Sequence, residues 1–137
     1  MPDDPLSLLR KRYSVPVAAV SADGTPNVAP KSVMVSDPST LVWGELYFIQ
    51  TWENLRHHPI ASLSVWETGP PFTAYRVNGR AAIHEHDEES AALDRSFWAG
   101  HGGEFGIRVK GMAAVVFTVE SVWDRTPRPE SAGTRTA

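Results

Sequence analysis

A mainly β fold, in which antiparallel strands make a closed or nearly closed barrel with helices packed outside, is predicted by three features of this sequence. Six strand-like stretches follow one another, most of them separated only by short turns. Helical stretches are few, whereas a doubly wound parallel sheet needs a crossover helix between its strands. The 137 residues, 42% hydrophobic and 21% charged, are enough to bury one continuous core without staples.

Asp3-Asp4-Pro5 opens a short helix with a carboxylate cap and a proline in its first turn. Leu6, Leu9 and Tyr13 give it an apolar stripe, and Arg10, Lys11 and Arg12 face solvent. Residues 14–21 read as the first strand. Ala22-Asp23-Gly24-Thr25-Pro26 turns the chain, with glycine supplying the positive φ a tight hairpin needs. A second strand is expected over 27–35, a turn at Asp37-Pro38-Ser39 and a third strand over 40–49. Thr51 reads as the N-cap of a short helix that Pro59 stops. Residues 60–67 alternate as a half-buried strand does, and 72–86 form a long strand bent near Gly79. A helix over 87–98 starts at Asp87 and is broken by His101-Gly102-Gly103. The last strand spans 109–122, with Val115, Phe117 and Val119 on one side and Val116, Thr118 and Glu120 on the other. One domain therefore covers 1–125. The tail 126–137, rich in Pro, Ser, Thr and Arg, is expected to be disordered.

Composition narrows the function classes. A net charge of −3 with no basic block argues against general nucleic-acid binding. No apolar run approaches the roughly 20 residues of a membrane helix, and the acidic start lacks the pattern of a secretory signal, so a cytoplasmic protein is expected. Cysteine is absent, and with it any disulfide, thiolate metal site or cysteine nucleophile. His84-Glu85-His86 puts two imidazoles on one face of a strand, but surface histidines beside carboxylates are far commoner than ligands, and no metal site is expected. No Gly-x-Ser-x-Gly elbow and no phosphate-binding glycine motif occurs, and no catalytic acid or base stands out. The five tryptophans are expected mostly to pack, with one or two available to a planar ligand.

The informative segments are Asn27-Val28-Ala29-Pro30-Lys31-Ser32-Val33 and Gln50-Thr51-Trp52-Glu53-Asn54-Leu55. A helix that begins after a strand offers free N–H groups and the positive end of its dipole, and Gln50, Thr51 and Asn54 add side-chain donors and acceptors. The order Asp23-Gly24-Thr25-Pro26-Asn27-Val28-Ala29-Pro30-Lys31, then Gln50-Thr51-Trp52-Glu53-Asn54-Leu55, His58-Pro59 and Val77-Asn78-Gly79-Arg80-Ala81, resembles the FMN-binding split-barrel family related to pyridoxamine 5′-phosphate oxidase. The resemblance runs from about Val15 to Val122.

That resemblance implies a six-stranded antiparallel split β-barrel and a homodimer with the cofactor at its interface. It implies FMN with Pro30, Lys31, Ser32 and Val33 along the ring edge, Gly44 and Glu45 near the ring or ribityl chain, and Gln50, Thr51 and Asn54 at the phosphate. The expected function is that of an FMN-dependent oxidoreductase acting on a small substrate, with Lys31 a candidate donor to the ring's N1–O2 edge. Two departures qualify it. Gln50 stands where the family often has a basic residue, and the C-terminal segment that grips vitamin phosphate in the oxidase proper has no counterpart, so vitamin B6 oxidation is not expected. The alternatives are a reductase using deazaflavin F420, a flavin-binding or electron-transfer module without a small substrate, and a barrel that has lost its cofactor.

Overall fold

Period-two alternation decides which side of each strand faces inward, and in the computed structural model those sides meet in one hydrophobic core. The structure describes residues 1, 3–12, 14–45, 50–84, 88, 113–127 and 134–136. Helix α1 (Asp3–Lys11) buries Leu6, Leu8 and Leu9, with acidic residues in its first turn and basic ones in its last, as the helix dipole favours. Strand β1 (Val15–Val20) buries Val15, Val17 and Ala19. Then come β2 (Pro26–Lys31), β3 (Met34–Asp37), β4 (Thr40–Glu45), helix α2 (Gln50–His57), β5 (Ile60–Thr68), β6 (Phe72–His84), β7 (Ala113–Asp124) and β8 (Thr134–Arg135).

All strand pairs are antiparallel, in the order β2-β1-β5-β6-β7-β4-β3, with β8 on β7. The two outermost strands, β2 and β3, are consecutive in the chain and joined only by Ser32 and Val33. The sheet must therefore curl until its ends meet. Val33 is buried in the core at that seam. The seam also explains why one expected strand over 27–35 is two. Residues of β2 pair with β1 and residues of β3 pair with β4, at opposite ends of the sheet.

The other differences are local. The 72–86 strand does carry an irregularity at Gly79, where the register steps from Asn78↔Ser121 to Gly79↔Val119 and leaves Glu120 outside the ladder. That step changes which residues of β7 face inward: Val115 and Phe117 before it, Val122 and Asp124 after it. The 126–137 segment, expected to be disordered, begins with buried Thr126, whose hydroxyl accepts from the Ala74 N–H at 3.1 Å. It also contains β8, held because β7 still has an open edge there. The helix expected over 87–98 (Glu88 excepted), with Tyr13 and Trp98, lies outside the described residues. No described helix is long and apolar enough to cross a membrane.

Candidate functional site

Helix α2 packs on β1, β2 and β6. Its residues Gln50, Glu53, Asn54 and His57 fall at i, i+3, i+4 and i+7, so they share a face. That face and the β1–β2 turn form the two walls of an open cleft of about 780 Å³. The turn contributes Ser21, Asp23 and Thr25, and the start of β2 contributes Asn27. A volume of this size suits a small organic ligand.

The turn wall is tied together by its own hydrogen bonds. The Ser21 N–H donates to the Thr25 carbonyl at 2.9 Å, the Gly24 N–H donates to the Ser21 carbonyl at 3.0 Å, and Gly24 takes the positive φ of 88° that an L side chain resists. The Asp23 carboxylate accepts from the Ser21 hydroxyl and, at 3.1 Å, from the Thr25 N–H. These donors, the Ser21 hydroxyl foremost and then Thr25, hold its pKa down to about 2 from 3.8. A carboxyl whose pKa is lowered by folding stabilises the fold above its unfolded value and loses that contribution as pH falls through the folded value. The stability difference between the native chain and Asp23→Asn should therefore persist from neutral pH down to about 3.8 and close toward about 2. Urea midpoints of both proteins across that range test it. A gap that stays constant to the acid end would assign the effect to something other than the carboxylate charge.

On the helix wall, Asn54 is the unusual residue. It is 1% exposed. Its Oδ1 accepts from Gln50 Nε2 at 2.7 Å, while its Nδ2 is buried and meets no acceptor among the described residues. A buried amide donor left so costs on the order of 1–3 kcal/mol, and an acceptor brought by a ligand would recover that cost. Glu53 and His57, an i,i+4 pair 3.7 Å apart, sit at the outer rim, both more than half exposed.

Of the expected site residues, Gln50 and Asn54 line this cleft. Thr51 is not the helix cap: α2 starts one residue earlier, and the Thr51 hydroxyl lies inside, accepting from Asn27 Nδ2 at 3.3 Å. Pro30 and Lys31 pair with Pro16 and Val15 near the end of β2. Ser32 and Val33 make the seam, with the Val33 side chain in the core. Gly44 and Glu45 end β4, opposite Ala114 and Ala113. Pro30, Lys31, Ser32, Val33 and Gly44 do not line the cleft. The lining residues missed in the sequence, among them Asp23, Asn27, Glu53 and His57, lie in the β1–β2 turn and its flanks or on α2, and the helical spacing from Gln50 would have found two, Glu53 and His57. Arg56, the helix's own cation, is set over the Trp52 ring at 4.5 Å from its centroid and does not line the cleft. No Lys or Arg does so among the described residues.

The arrangement can therefore hold a ligand that offers an acceptor to Asn54 and donors to Glu53 and Asp23. Among the described residues it offers partners to the carbonyl and hydroxyl groups of a flavin and no Lys or Arg to a dianionic phosphate.

An antiparallel sheet whose two edges meet at a two-residue seam, with helices outside, defines a split β-barrel protein. The chain belongs to the pyridoxamine 5′-phosphate oxidase family, whose model matches residues 1–126. No curated protein matches it. Among solved structures it is similar to HupZ of Group A Streptococcus, at 21% identity and TM-score 0.80, covering 100% of each chain. It is similar to an FMN-binding protein from Syntrophomonas wolfei subsp. wolfei, at 16% identity and TM-score 0.71, covering 90% of this chain and 84% of that one. It is also similar to HutZ, the heme storage protein from Vibrio cholerae, at 15% identity and TM-score 0.70, covering 90% and 95%. At these identities the likeness is one of fold.

Proposed function

We propose that this protein binds a flavin, FMN in the first instance, and works as a homodimeric oxidoreductase on a small substrate. The observation that carries the reading is the unsatisfied amide of Asn54 on α2, one wall of a cleft large enough for part of such a cofactor. Family membership supports the choice of a flavin. A bound flavin supplies the redox chemistry, and Gln50 and Asn54 would position its polar chain. The outer faces of β1, β2 and β5 support the dimer. Val28 is 64% exposed and Ile60 54%, and they flank Pro16, Ala18, Val20, Pro26 and Pro30 on one apolar surface. Deazaflavin F420 is the alternative cofactor on the same fold; its longer anionic tail suits the acidic rim less well.

The test is the absorption spectrum of freshly purified protein, followed by flavin titration of the stripped protein. Flavin bands are expected in the near-ultraviolet and blue. Asn54→Ala should weaken flavin binding about tenfold, the worth of one buried hydrogen bond. A colourless protein that also fails to take up added flavin would sink the reading, and a Soret band would redirect it to heme.

A further inference from the structure

A phosphate presents acceptor oxygens and negative charge, whereas a hydroxyl donates one hydrogen bond and accepts two. The cleft is lined for the second kind of group. Asn54 Nδ2 is a buried donor that lacks an acceptor. Glu53 and Asp23 bring carboxylates, which only accept. His57 is the one lining residue able to carry positive charge among those described, and it faces Glu53 at 3.7 Å. Among the described residues, a phosphate here would share the cleft with two carboxylates and meet no guanidinium or ammonium, so it would lack the charge-assisted bonds that make phosphate sites strong. Asp23 cannot relieve this by taking a proton, since its carboxyl stays ionised down to pH of about 2.

Resting on the flavin reading, we propose that this cleft holds the neutral polyhydroxyl chain of the cofactor and not its phosphate, so that riboflavin is bound as tightly as FMN. The Asn54 amide donates to one chain oxygen, and the Glu53 and Asp23 carboxylates accept from chain hydroxyls. The phosphate of FMN, if present, stays in solvent beyond the rim.

The experiment is a fluorescence titration of the stripped full chain with riboflavin and with FMN, at low and high salt. The two dissociation constants should agree within about threefold, and that for FMN should not weaken with salt. Glu53→Lys, at an exposed rim position, should shift the ratio toward FMN by about tenfold. A native preference for FMN of about tenfold or more would overturn the proposal, as would a ratio that Glu53→Lys leaves unmoved. Failure of both ligands to bind protein of native circular dichroism would overturn the flavin reading itself, and the inference with it.

Discussion

Trp43→Ala should lower the stability of the protein by about 4 kcal/mol, from lost transfer energy plus the cavity left behind. Trp43 is 0% exposed and is among the largest fully buried side chains of the core. It stands on β4 opposite Val115, and its ring tilts at 43° against the Phe117 ring with centroids 5.7 Å apart. Two rings in that relation add to area burial, and both sit where β4 and β7 share the core. Because β7 is held from its other side by β6, the cavity has little freedom to collapse. For a domain whose total stability lies at about 5–15 kcal/mol, the loss is a large part of the whole. Equilibrium urea denaturation measures it. Trp66→Ala is the control, because Trp66 is 41% exposed on β5 and should cost less than about 1 kcal/mol. Equal losses for the two variants would mean that Trp43 does not occupy the centre of the core.

Gly79→Ala should cost about 3 kcal/mol, although it adds one methyl group. A Cβ at Gly79 would stand 2.2 Å from the Thr118 carbonyl oxygen and 2.6 Å from Cζ of the Phe117 ring. The first neighbour is backbone in the adjacent strand and the second is a fully buried ring, so neither yields cheaply. The requirement here is close approach, at the place where the ladder skips Glu120. The substitution therefore pushes β6 from β7 across the centre of the sheet. Thermal and urea unfolding of Gly79→Ala would measure the cost. A change below about 1 kcal/mol would mean that the step in register absorbs the methyl, and that the strands are less tightly held than the contacts imply.

Much of this architecture was legible in the residues. The strand alternation of 60–67 and the turn at Asp23-Gly24 appear in the structure where the pattern put them. So do the arrest of α2 before Pro59 and the irregularity at Gly79. Each depends on local chemistry: side-chain period, a positive φ, a ring that cannot continue a helix, a residue without Cβ. The family was legible for a related reason, since its turn and helix-start motifs are short runs of contiguous sequence.

What escaped the sequence depends on which strand lies beside which. Residues 27–35 are uniformly extended in character, and only the placement of β2 and β3 at opposite ends of the sheet breaks them at Ser32 and Val33. The even alternation read into 109–122 holds through Val119, which packs against the core, and fails beyond it, because the step at Glu120 exchanges the inward and outward sides of β7. The candidate site follows the same division. Gln50 and Asn54 were identified as site residues from the helix start. The acidity of the cleft was not, because Asp23 and Glu53 lie 30 positions apart and meet only when α2 packs on β1 and β2. By itself the sequence determined the strands, the turns and the family, since local backbone preference and side-chain period suffice for those. Tertiary structure alone decided the seam, the parity of β7 and the charge of the cleft, because each is set by a neighbour remote in the chain.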